Sequence, residues 1–178
     1  MEYKALRYKK KGRIATILLN APGSGDWSHE CMCAELLDVC DVISRDDSIS
    51  VIVFGHAGRK FLGDIATEFG SPVCEVIDSV ACLDKITIAV IDGDAFGEGL
   101  ELALACDIRI ASERSRFALS NIENGTIPSG GGTQRLPRLT GQAFALEMIL
   151  TAKPINAAEA FRIGLIQKMV PSRSVKAE

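Results

Sequence analysis

The sequence predicts an α/β fold with much parallel strand pairing, and two observations carry that reading. Short β-branched apolar runs, Val51–Phe54, Ile88–Ile91 and Ile108–Ala111, have the character of strands covered by other elements. Between them lie segments whose apolar residues recur at helical spacing. Strands alternating with helices argue for a largely parallel sheet.

Taken in order, Arg13–Leu19 is a β-branched strand that stops at Asn20-Ala21-Pro22-Gly23. Ser28 is placed to cap a helix in which Met32, Leu36, Val39 or Cys40, and Ile43 share a face. Val51–Phe54 follows as a buried strand, and Cys74–Leu83 as a helix with Ile77, Val80 and Ala81 on one side. The strand Ile88–Ile91 leads into a turn around Gly93 and Gly97, then a helix beginning near Gly99 with Glu101 in its first turn. After the strand Ile108–Ala111, Gly130, Gly131 and Gly132 open a helix beyond Pro128. Ala143, Leu146, Ile149 and Leu150 stripe the next helix. A last one, from Ala157 to Ile163, ends at Gly164. No repeat, low-complexity tract or linker interrupts the pattern, so residues 1–178 read as a single core domain.

At 178 residues the chain is long enough for one domain with a sizeable core. Its net charge of −3 argues against a nucleic-acid partner. The basic cluster Lys4, Arg7, Lys9, Lys10, Lys11 and Arg13 reads as a solvated strand edge, with phosphate binding as the alternative. Cys31, Cys33, Cys40, Cys74, Cys82 and Cys106 form no C-x-x-C pair, and the histidines are His29 and His56 alone. No metal site is therefore expected, and the thiols read as reduced and mostly buried. Met1–Arg13 contains no secretory apolar region, and no apolar run approaches a membrane span. These features predict a soluble, cytoplasmic protein with no membrane partner.

The chemistry concentrates between Ala95 and Arg109. Gly97 and Gly99 let the backbone approach a ligand and present N–H groups at a helix start. Partial positive charge there favours a developing oxyanion, and the Glu101 carboxylate lies within one turn. That combination suits enolate chemistry on a carbonyl. By itself Glu101 also reads as a first-turn glutamate complementing the helix dipole, and Glu98 and Glu123 as solvated turn or loop charges. Gly130–Gly132 fail as a phosphate cradle because no Gly-Lys-Ser/Thr follows. Gly93–Gly99 fail the dinucleotide fingerprint because Leu102 stands where its third glycine belongs. No redox cofactor is implied.

Four segments, in this order and spacing, resemble the crotonase family, also called the enoyl-CoA hydratase/isomerase family. They are Leu19-Asn20-Ala21-Pro22; Phe61-Leu62-Gly63-Asp64-Ile65; Gly97–Asp107; and Gly125-Thr126-Ile127-Pro128 with Gly130-Gly131-Gly132-Thr133-Gln134-Arg135-Leu136. The resemblance implies a crotonase-like (ClpP/crotonase) ββα spiral, truncated by the carboxy-terminal helical segment that such proteins carry after the region of Leu165–Val170. It implies an acyl-CoA thioester as substrate, with coenzyme A entering as part of that substrate and no separate cofactor. It also implies a homo-oligomer, trimer or hexamer. The apolar surface that the carboxy-terminal segment covers in such proteins, on Ala143, Leu146, Ile149 and Leu165-Ile166, is expected to be open here and to drive self-association or else to weaken stability and substrate retention.

In the resembling enzymes two main-chain N–H groups hold the thioester oxygen. The first maps to Gly63 or Asp64, next to Ile65, in a loop shorter than the family's Phe-x-Ala-Gly-Ala-Asp-Ile. The second maps to Glu98, where the family has glycine; a glutamate keeps the N–H but would be strained at positive φ. Hydratases of the family use two glutamates, and the first matches Glu101. The second ends a Phe-Gly-Gln-Pro-Glu motif that here reads Phe117-Ala118-Leu119-Ser120-Asn121. Asn121 cannot exchange a proton near neutral pH, which argues against efficient hydration. Glu98, three residues before Glu101, and Glu123, on the same side as Asn121 in an extended segment, are the acidic neighbours that would compensate. Asp107 reads as the anchor of a helix-to-strand turn and Arg135 as half of an ion pair. The resemblance thus implies an enoyl-CoA hydratase or isomerase working through a thioester enolate; the alternative is a non-catalytic CoA-binding or scaffold homologue.

Overall fold

The computed structural model describes residues 3–19, 29–62 and 72–174. The chain runs through β1 (Leu6–Lys11), β2 (Ile14–Leu19), α1 (His29–Ser44), β3 (Val51–His56), α2 (Pro72–Ala81), β4 (Ile86–Ile91), β5 (Asp94–Phe96) and α3 (Glu98–Ala105). It continues through β6 (Ile108–Ser112), β7 (Arg116–Ala118), a 3-10 turn at Ser120–Asn124, α4 (Gly132–Thr140), α5 (Gln142–Thr151), β8 (Ile155–Asn156), α6 (Ala157–Arg162) and β9 (Lys168–Val170).

A six-stranded sheet has the order β1-β2-β3-β4-β6-β9. Its β1–β2 pair is antiparallel and every other pair parallel. Parallel strands need crossovers, and α1 and α2 supply them on either side of β3. The inward positions are the predicted apolar ones: Ile17 and Leu19 on β2, Ile52 and Phe54 on β3, Ala89 and Ile91 on β4. From α1, Met32, Leu36, Val39, Cys40 and Ile43 pack into the same core. The basic cluster does lie on a solvated edge: β1 closes one side of the sheet with Lys9, Lys10 and Lys11 exposed.

A smaller sheet, β5-β7-β8, sets up the site. These strands are two or three residues long, too short for an alternating pattern to betray them. Between β5 and β6, α3 is buried from Glu98 to Leu104, as befits a helix apolar almost all round. Its far end is tied down by Arg109. That buried guanidinium donates to the carbonyls of Ala103 (3.3 Å) and Cys106 (2.6 Å) and to that of Leu165 (2.7 Å).

The open apolar face expected on α5 is present: Ala143, Leu146 and Leu150 are exposed and Ile149 is half-buried, while Ala145 and Met148 face in. Other expectations need correction. Leu165 and Ile166, expected to be open, are buried. Cys82 is exposed, and Cys31 and Cys74 are half-buried. The Ser28 cap and the Asn20-Ala21-Pro22 landmark lie outside the described residues. No helix among the described residues is long and apolar enough to cross a membrane.

Candidate active site

The start of α3 is shaped by one backbone conformation. Gly97, its N-cap, has φ 50° and ψ −121°, and its N–H donates to the Ala118 carbonyl at 2.9 Å. Positive φ is the natural place for glycine, and it falls on Gly97 rather than on Glu98. Glu98 therefore stands at the first helical position without strain. The first bond of the helix ladder runs from Glu101 N–H to the Gly97 carbonyl at 3.0 Å, so the Glu98 N–H precedes that ladder.

A second segment is laid against this turn. Asp94 N–H donates to Arg59 O and Phe61 N–H to Asp94 O, both at 2.8 Å. A Cβ on Gly93 would stand 2.2 Å from Arg59 O, so the contact exists only with glycine there. Leu62 ends up beside Gly99, 3.5 Å from where a Cβ would be. Gly63, Asp64 and Ile65 come next in the chain and lie outside the described residues. The structure brings Leu62, the residue before them, to the first turn of α3.

Glu101 is fully buried. Its Oε1 accepts the Gly132 N–H at 2.7 Å, while Oε2 is buried with no hydrogen-bond partner. A Cβ on Gly132 would come within 2.9 Å of Oε1. One on Gly130 would collide with Ile77 Cδ1 at 2.5 Å and stand 3.3 Å from Oε2. The glycine run thus lets main chain close over a carboxylate, a purpose invisible in the sequence because the two segments are far apart in it. Burial pushes the Glu101 carboxyl up to about 7. The Gly132 N–H opposes the rise, the Glu98 carboxylate adds to it, and the Gly130 N–H and the Arg135 charge oppose it. A carboxyl that titrates near neutrality can both take and return a proton.

Asn121 is buried and donates its Nδ2 to Glu98 Oε1 at 3.2 Å; its Oδ1 is buried without a partner. Glu98, expected in isolation to be a solvated turn charge, is only 8% exposed, because α3 is buried from its first residue. The structure therefore brings Glu98, Glu101 and Asn121 together. Glu123 does not join them: the segment is a 3-10 turn rather than extended, which rotates Glu123 into solvent. Arg135 makes its expected ion pair with Asp78 at 3.4 Å, and its Nη1 also donates to the Gly130 carbonyl at 2.5 Å. Asp107 anchors its turn by accepting from Thr87 N–H and Oγ1, both at 2.8 Å. Among the described residues, no cluster of three or more His, Cys, Asp or Glu is placed to hold a metal ion.

Residues 9–178 match the family model described as enoyl-CoA hydratase/isomerase. A crotonyl-CoA hydratase from Syntrophomonas wolfei is 33% identical over 183 residues, a match spanning 96% of this chain and 70% of that protein. Among solved structures, Pseudomonas aeruginosa DspI superposes with a TM-score of 0.87 at 33% identity, covering 98% of this chain and 71% of that one. A monofunctional enoyl CoA isomerase from M. smegmatis superposes with a TM-score of 0.84 at 31% identity, covering 97% and 79%.

Proposed function

The chain belongs to the enoyl-CoA hydratase/isomerase family, and on that premise we propose that it turns over an acyl-CoA thioester through an enolate, with Glu101 moving the proton. One observation carries this reading. The Glu101 carboxylate is buried at a helix start with one oxygen held and the other unpartnered, and it titrates near neutrality.

In this reading Glu101 Oε2 takes a proton from the acyl chain, and the electron pair released runs into the thioester carbonyl. The oxyanion that forms accepts the Glu98 N–H at the positive end of α3 and a second N–H from Gly63 or Asp64. Negative charge is favoured at a helix N-terminus, and each such donor is typically worth about 3–4 kcal/mol of barrier. Returning the proton to a different carbon moves the double bond. That migration needs a single proton-carrying residue, and the presence of an amide at Asn121, where hydratases of the family carry a second glutamate, supports it best.

Hydration is a second reading, favoured by one contact. Glu98 is a buried carboxylate held 3.2 Å from the Asn121 amide, and it would activate the water that Asn121 cannot. The family premise also carries a homo-oligomer, supported by the exposed Leu146 and Leu150 on α5.

The test is Glu101→Gln. Its turnover of 2- and 3-enoyl-CoA thioesters falls about a hundredfold, the lower end for losing a general base. Acyl-CoA affinity stays nearly unchanged in a binding titration. Unaltered turnover would remove Glu101 from the mechanism.

A further inference from the structure

We infer that Arg135 is a positioning residue for Glu101: by gripping the Gly130 carbonyl it holds the Gly130–Gly132 turn onto the carboxylate and keeps that carboxylate able to accept a proton. The catalytic consequence rests on the reading of Glu101 given above. The effect on how Glu101 titrates does not.

The connection can be followed bond by bond. Arg135 sits in the first turn of α4, where its own N–H donates to the Gly131 carbonyl at 2.8 Å. Its side chain curls back past the helix start, and Nη1 donates to the Gly130 carbonyl at 2.5 Å. Gly131 has φ +89°, and a Cβ there would stand 2.2 Å from that same Nη1. The guanidinium fills the space a side chain would need. Gly130 and Gly132 are therefore bare to admit Glu101, and Gly131 is bare to admit Arg135. From the turn so held, the Gly132 N–H reaches Glu101 Oε1 at 2.7 Å.

The surrounding charges leave Arg135 a distinct electrostatic part. On its own helix Glu101 faces Glu98, which repels it. From α4 the facing charge is Arg135, which attracts it. Helix α2 presents the apolar Ile77 to the turn, while its Asp78 reaches Arg135. The segment after β7 contributes the neutral Asn121, which meets Glu98. Stabilisation through the Asp78 pair is a poor account of Arg135, because Asp78 is 72% exposed and such pairs are worth little.

The experiment follows the Glu101 carboxyl directly. The full chain is labelled with 13C at glutamate side-chain carboxyls, and its resonances are titrated by NMR. Glu101 is identified by the signal missing from Glu101→Gln. Turnover of crotonyl-CoA and of its 3-enoyl isomer is measured across the same pH range. In Arg135→Gln the Glu101 midpoint moves up by about one pH unit. The ionised share at pH 7 then drops from about half to about a tenth, so kcat there falls roughly fivefold and recovers by about pH 9, with KM unchanged. Arg135→Lys keeps the charge without the fork and falls between parent and Arg135→Gln. Should either variant lower the melting temperature while its Glu101 midpoint coincides with the parent's, Arg135 is an ion-pair residue only and the inference is overturned. A midpoint that moves while the activity profile does not upholds the inference and overturns Glu101 as the proton carrier.

Discussion

Asn121 and Glu98 meet as an amide and a carboxylate, both buried, with Asn121 Oδ1 left unpartnered. A buried acceptor without a donor costs about 1–3 kcal/mol, so the pair is a place where the fold carries a penalty. Replacing Asn121 alone by Glu would set two carboxylates at contact distance, where they share one proton. The variant expected to gain crotonyl-CoA hydration is therefore Glu98→Gly with Asn121→Glu, and it should outpace both the parent and Asn121→Glu in a spectrophotometric assay. A parent that already hydrates crotonyl-CoA at about 10 s⁻¹ or more would contradict this. Glu98→Gln would then be the variant that stops it. The place of Glu101 in the first turn of α3 was legible in the sequence, because a carboxylate one turn into a glycine-opened helix is a local pattern; the role proposed for it came from the family resemblance. The burial of Glu98 was not, since it follows from what packs over α3.

At the scale of elements, α3 works as a buried rod fixed at both ends. Gly97 N–H ties its start to the end of β7, and Arg109 ties its last turn to the Leu165 carbonyl. Burial lowers the Arg109 guanidinium below its ordinary value, yet its donors are matched to carbonyls. Arg109→Met would take the guanidinium donors from the Cys106 and Leu165 carbonyls, while the Ala103 carbonyl keeps the Cys106 N–H. At about 1–3 kcal/mol for each carbonyl left without its donor, the expected loss is about 2–6 kcal/mol of stability, measured by urea unfolding. Strands β2, β3, β4 and β6 were legible as short β-branched apolar runs and helices α1 and α2 as apolar residues at helical spacing, while α6 was marked by the glycine that ends it. Helix α5 is apolar on more than one side, so spacing alone does not say which face packs inward. The small sheet β5-β7-β8 exists through pairing partners far away in the chain, so nothing local announces it.

For the molecule as a whole, the buried Glu101 makes folding stability depend on pH. Its carboxyl titrates at about 7 in the fold against an ordinary 4.5. Between those values the folded state holds the extra proton, so stability falls as pH rises through the window. Below it both states are protonated and the cost vanishes. Relative to Glu101→Gln, the parent should lose about 3 kcal/mol between pH 4.5 and pH 8, read from denaturant unfolding at each pH. Groups common to both proteins cancel in that difference. The sheet also carries a consequence for how the chain is made. Strands β1 to β4 stand in the sheet in the order in which they are synthesised, so each new strand meets a finished neighbour. Arg109 breaks that economy: its partner at Leu165 is 56 residues further on. At about 5–20 residues per second, the ribosome needs roughly 3–11 s to supply it. Through that interval a nascent chain holds an arginine whose burial is not yet complete, and the last turn of α3 stays open to whatever else in the cell binds exposed apolar surface.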